Sequence, residues 1–81
     1  MKVKVKFFAV FHEMFSRREE NMELPEGSTI MDILKRIEAE KPAFAEYYDI
    51  MQIAVNWEYA TKNALLKNGD EVALIPPVTG G

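Results

Sequence analysis

Residues Lys2 to Phe7 alternate strictly, with Lys2, Lys4 and Lys6 facing one way and Val3, Val5 and Phe7 the other. A period of two over six residues predicts a strand with one face buried and one in water. Phe8, Phe11 and Phe15 fall at helical spacing, which predicts a short helix or turn over 8–15. Met22 and Leu24 share one face of a second strand over Asn21 to Leu24, after which Pro25-Glu26-Gly27 turns the chain. Ile30, Ile33, Leu34 and Ile37 then sit at i, i+3, i+4, i+7, the apolar stripe of a helix, while Lys35, Arg36 and Glu38 lie off it. Ser28 or Thr29 is placed to cap this helix, Asp32 suits its positive end, and Pro42 stops it.

Phe44, Tyr47 and Tyr48 predict a short irregular or helical connection. Met51, Ile53 and Val55 alternate with Gln52, Ala54 and Asn56 as a third strand, and Asn56 to Thr61 reads as a turn leading into a weakly regular stretch. Asn68-Gly69-Asp70 is a strong turn signal, and Glu71 to Ile75 is the last strand. The order strand, strand, helix, strand, strand leaves one main helix to cover one face of a mixed sheet. The natural packing is an α+β roll of the ubiquitin-like, or β-grasp, kind over residues 1–75, followed by a projecting tail over residues 76–81.

Composition narrows the chemistry. Eighty-one residues make one small domain with a modest core. There is no cysteine, which excludes disulfides, thiolate zinc sites and a cysteine nucleophile. The single histidine, His12, excludes a multi-histidine metal site within the chain. A net charge of −3 argues against non-specific nucleic-acid binding, which runs on phosphate neutralisation. No apolar run approaches a membrane span and nothing resembles a secretory signal, so the expected location is the cytoplasm. No glycine-rich stretch opens a helix as a phosphate-binding loop does, and no bound cofactor is expected.

The ending Pro76-Pro77-Val78-Thr79-Gly80-Gly81 carries the remaining chemistry. Paired prolines have no N–H for a ladder and hold φ near −65°, so they favour an extended stem. Six extended residues reach roughly 20 Å. Two glycines strip side chains from the vicinity of the terminal carboxylate, which suits threading a narrow channel. Such an ending, taken alone, is equally a frayed terminus. Following directly from a strand of a β-grasp pattern, in a chain with no competing internal chemistry, it reads as a carboxyl presented to a partner's active site. A carboxylate with pKa roughly 3.5 is a poor electrophile, so it needs activation, most simply as an adenylate formed from ATP. With no phosphate loop here, activation falls to a partner enzyme.

The stretch from Val55-Asn56-Trp57-Glu58-Tyr59-Ala60 and then Leu66-Lys67-Asn68-Gly69-Asp70-Glu71-Val72 through Ile75-Pro76-Pro77-Val78-Thr79-Gly80-Gly81 resembles the small subunit of molybdopterin synthase. Leu24-Pro25-Glu26-Gly27-Ser28-Thr29-Ile30 and Val5-Lys6-Phe7-Phe8-Ala9 are similar to that family too. The resemblance implies a non-catalytic sulfur carrier. An E1-like adenylating enzyme activates the Gly81 carboxyl with ATP, and a sulfur-donor system converts it to a thiocarboxylate. The tail, Ile75, Pro76, Pro77, Val78, Thr79 and Gly80 leading to Gly81, then enters the synthase large subunit. There it donates sulfur to a cyclic pyranopterin precursor. A heterotetramer of two large and two small subunits is implied as well.

Three other readings remain beside this one. The thiamine-pathway sulfur carrier shares the fold and the two-glycine end but typically lacks the paired prolines. A ubiquitin-like modifier would join Gly81 to lysines of other proteins. In a plain β-grasp interaction module the tail would be incidental. Trp57 and Tyr59 are candidates for core or interface aromatics. The Lys2, Lys4, Lys6 stripe reads as the solvated face of a strand, where lysine also discourages edge pairing.

Overall fold

A computed structural model describes residues 1–77. Its elements follow the chain as β1 (Lys2–Phe7), α1 (Val10–Phe15), β2 (Glu19–Glu23), α2 (Ile30–Glu40), a 3₁₀ segment (Pro42–Tyr47), β3 (Gln52–Val55), β4 (Glu58–Tyr59) and β5 (Glu71–Ile75). The described strands form one sheet in the order β2-β1-β5-β3-β4. β1 runs antiparallel to β2 and parallel to β5, and β3 runs antiparallel to β5 and β4. This is the mixed sheet and single main helix of the β-grasp roll.

The alternation of β1 does what its sequence implies. Val3, Val5 and Phe7 are buried while Lys2, Lys4 and Lys6 lie on the opposite, outer face. Against the inner face pack Ile30, Ile33, Leu34 and Ile37, each at most 1% exposed. Burying side chains of this size contributes about 1.5–3 kcal/mol apiece, so the stripe of α2 is the main tie between helix and sheet. Phe11 and Phe15 of α1 extend the core beneath the 3₁₀ segment, where Phe11 meets Phe44 and Tyr47 edge-on at centroid distances of 5.2 and 5.1 Å.

Two elements differ from expectation. The second strand begins earlier, at Glu19, because Glu19 and Glu20 pair with Lys6 and Val5 of β1, and residues of low strand propensity are carried by that ladder. Leu24 falls just past its end but still donates its N–H to the Met1 carbonyl at 2.9 Å. The region read as a turn and a weakly regular stretch contains β4, a two-residue strand too short to carry an alternation signal. It closes a hairpin in which Ala54 faces Tyr59 and Val55 faces Glu58.

Thr29 is the residue that caps α2. The Asp32 carboxylate accepts from the Thr29 backbone N–H at 2.8 Å and lies 3.2 Å from its hydroxyl. The next two orphan N–H groups of the first turn are taken by the distant loop after β4, Ile30 donating to the Ala64 carbonyl (3.1 Å) and Met31 to that of Lys62 (2.8 Å). The loop is thereby stitched to the helix.

Candidate functional site

β5 is the strand that leads into the tail, and it is also the most enclosed. It lies between β1 and β3, with Leu74 opposite Phe7 on one side and Ile53 on the other, and Ile75 opposite Gln52. Val72 and Leu74 are fully buried toward the helix. Its entry is equally constrained. Gly69 has φ +89°, a conformation only glycine adopts without strain, and the Lys2 N–H donates to Asn68 Oδ1 at 2.8 Å. Asp70, nearly buried, accepts from the Lys67 N–H at 2.8 Å and the Asn56 side-chain amide at 2.9 Å. A strand held this way on both edges gives a rigid base to whatever follows it. Of the expected tail residues, Ile75 is half-buried at the end of β5, Pro76 is buried and Pro77 half-buried. Val78, Thr79, Gly80 and Gly81 lie outside the described residues.

The outer face of the sheet divides into two halves. Over β1 and β2 it is charged and internally neutralised: Lys2 pairs with Glu23 at 3.8 Å, Lys4 with Glu19 at 3.5 Å and Lys6 with Glu71 at 3.3 Å. The lysine stripe is thus matched carboxylate for ammonium, which agrees with a solvated face and leaves little net positive potential for nucleic acid. Beyond Glu71, the face over β5, β3 and β4 is mainly apolar, interrupted by exposed Gln52. Ala54 and Ala73 face each other on neighbouring strands and are 7% and 8% exposed. Beside them stand Phe8, Ile75 and Tyr59. Phe8 continues the parallel ladder by donating its N–H to the Leu74 carbonyl at 3.3 Å, and alternation puts its ring on the side of Ile75. Phe8 is 39% and Tyr59 77% exposed. An apolar area flanked by ion pairs and adjoining the base of the tail has the anatomy of a protein-docking surface.

Sequence reasoning left Trp57 and Tyr59 between core and interface. Both are on the surface. It missed Phe8 and the Ala54–Ala73 floor, because Phe8 was read into the helix that follows and alanine is silent in a pattern of large apolar residues. Among the described residues no three His, Cys, Asp or Glu side chains converge as a metal site would. The strongest electrostatic shifts serve packing. Glu40 is held below the usual glutamate value by the Arg17 guanidinium, and Tyr48 is pushed well above the usual tyrosine value by burial and then by Glu38. No helix among the described residues is long and apolar enough to cross a membrane.

The family model described as ThiS matches residues 5–81. The chain belongs to the ThiS family. Within reach of it, the molybdopterin synthase sulfur carrier subunit of Chlamydomonas reinhardtii is 39% identical over 83 residues, covering all of both chains. Among solved structures, a putative molybdopterin converting factor subunit 1 from Pyrococcus furiosus is 40% identical with a TM-score of 0.84, over 96% of this chain and 99% of that one. The small archaeal modifier protein 1 of Haloferax volcanii, at 28% identity, superposes with a TM-score of 0.87 over the whole of both chains. A complex of subunits 1 and 2 of the molybdopterin-converting factor from Helicobacter pylori contains a chain 29% identical to this one, with a TM-score of 0.64 over all of both. These solved structures share this roll along nearly the whole chain, and one of them is found assembled with a second subunit.

Proposed function

We propose that this chain is the sulfur carrier subunit of a molybdopterin synthase and works in the cytoplasm through the carboxyl of Gly81. The observation that carries the proposal is end-to-end similarity to curated carriers of that name, in a chain whose β5 leads into Pro76-Pro77-Val78-Thr79-Gly80-Gly81. In this scheme a carboxylate oxygen of Gly81 attacks the α-phosphorus of ATP on an E1-like enzyme and pyrophosphate leaves. A donor of sulfide-level sulfur then attacks the acyl carbon, forming the C–S bond as the acyl–phosphate bond breaks, so that AMP leaves and a thiocarboxylate remains. The apolar outer face docks on the large subunit while the tail carries the sulfur inward. The sulfur bonds to a cyclic pyranopterin precursor, hydrolysis of the acyl–sulfur bond restores the carboxylate, and a second loaded carrier supplies the second sulfur of the dithiolene. Two carriers flanking a large-subunit dimer make the proposed assembly. The acid–base groups belong to the large subunit, and the carrier contributes position: misplacement of a reacting atom by about 1 Å can cost about 10²-fold.

Mass spectrometry of the protein from its native host tests this directly. An oxygen-to-sulfur shift on the C-terminal peptide is expected. Deleting Gly81 retracts the reacting carboxyl by roughly 3.5 Å. Product formation with the large subunit should then collapse while the melting temperature stays unchanged. Native-rate product formation by the deletion variant would refute the assignment of Gly81. The likeness to a small archaeal modifier protein favours one second reading, conjugation of Gly81 to protein lysines. The same spectra would show it as branched peptides on other proteins.

A further inference from the structure

Asn56 and Trp57 form the two-residue turn between β3 and β4, and both have positive φ, 51° and 71°. Asn56 suits that conformation and locks the turn. Its N–H donates to the Glu71 carbonyl at 2.8 Å, its side-chain oxygen accepts from the Glu71 N–H at 3.0 Å, and its amide donates to Asp70. Trp57 suits neither the conformation nor the fold. Glycine is the preferred second residue of such a turn, and a bulky side chain at positive φ is strained. Burial does not offset that strain, since Trp57 is 78% exposed. Strain retained where folding gains nothing from it is the mark of a residue kept for another purpose.

The indole's position indicates the purpose. It reaches across β5 to β1, where Lys6 Nζ lies 5.5 Å from the ring centroid, so it stands on the outer face beside the apolar half that carries Tyr59. Lys6 is already neutralised by Glu71 at 3.3 Å, and most of the indole is exposed to solvent. Glu58, the next residue, lies opposite Val55 and so belongs to the other face of the sheet, while the chain as a whole carries a net charge of −3. An exposed aromatic face on a chain of net negative charge fits an incoming cation. We propose that Trp57 is a specificity-determining anchor for the large subunit, taking a basic side chain of that subunit on its exposed face. This rests on the reading of the chain as a synthase subunit.

The dissociation constant for the large subunit of the same organism, with the melting temperature of each variant, decides it. W57G should bind about tenfold or more weakly, the scale of an interface hot spot. Its melting temperature should equal or exceed that of the unmodified protein, because relief of strain offsets the lost contact with Lys6. W57F should retain most of the affinity, and W57L, apolar and equally strained but without a π face, should lose as much as W57G. Unchanged binding by W57G overturns the proposal, and so does a marked fall in its melting temperature, which would make Trp57 a folding residue. Native-like binding by W57L overturns the basic partner. If the unmodified chain itself fails to bind the large subunit, both this proposal and the functional reading fall. If it binds and W57G binds equally, only this proposal does.

Discussion

At the scale of single residues, polar groups next to the core are placed by partners far away in sequence. The Tyr48 hydroxyl lies 3.0 Å from the Leu34 carbonyl oxygen and 2.6 Å from Glu38 Oε1, reaching both across the gap between the 3₁₀ segment and α2. Burial and the neighbouring carboxylate both oppose ionisation, so its pKa is raised above 10.0. A raised pKa means that stability from this group is complete below the unfolded value and is lost as pH climbs through the folded one. A difference absorbance titration of the protein against Y48F should therefore place Tyr48 ionisation well above pH 10. The same variant, leaving the Leu34 carbonyl and Glu38 without their partner, should be less stable by about 1 kcal/mol in denaturant unfolding. Little of this was legible in the sequence. Tyr48 was recognisable only as one of three aromatics in a connection, because its hydroxyl's partners depend on how that connection folds back.

The elements themselves were far more legible, and for local reasons. The stripe of α2 and the alternation of β1 each repeat their period over enough residues to exclude the other structure. The capping pair shows how local chemistry and tertiary contact combine at one helix end. Asp32 satisfies the Thr29 N–H and sits at the positive end of the helix dipole. Asp32→Ala should lower stability by about 1 kcal/mol, readable as a melting-temperature drop of about 4–8 °C in a domain of this size. The effect should be confined to folding, with partner affinity unchanged, since α2 covers the face of the sheet opposite the apolar docking half. β4 escaped notice because two residues cannot express a period, and it exists only because the Asn56–Trp57 turn brings Tyr59 opposite Ala54.

Across the whole molecule one side chain ties elements that no short-range pattern connects. Arg17, in the link between α1 and β2, makes a two-pronged contact with Glu40 at the end of α2 (2.9 and 2.8 Å). It also pairs with Glu20 and donates to the Phe15 carbonyl at 3.1 Å. Its guanidinium lies 5.1 Å from the Phe7 ring and 5.7 Å from that of Phe15. Arg17 depresses the Glu40 pKa below 4.5, so the stabilisation from that pair is present above 4.5 and is lost as pH falls through the lower, folded value. R17M should accordingly melt below the unmodified protein at neutral pH, with the gap narrowing in acid as Glu40 protonates. A gap that stays constant down to pH 3 would show that packing on Phe7 and Phe15, not the ion pair, is what Arg17 contributes.

By itself the sequence determined the roll, the helix and its stripe, the turn before the last strand and the composition of the tail. Each of these rests on a period, a turn residue or a proline acting over a few neighbouring positions. Tertiary structure alone decided that the last strand runs parallel to the first and between it and β3. Chain order does not say which strands become neighbours, and the crossover through α2 does. It also decided that the outer face is charged over β1, β2 and the Glu71 end of β5 and mainly apolar over the rest of β5, β3 and β4. Lys4 meets Glu19, Lys6 meets Glu71 and Ala54 meets Ala73 only once the strands are in register. A docking surface is made of residues distant in sequence, and local pattern cannot show it until the sheet has brought them onto one face.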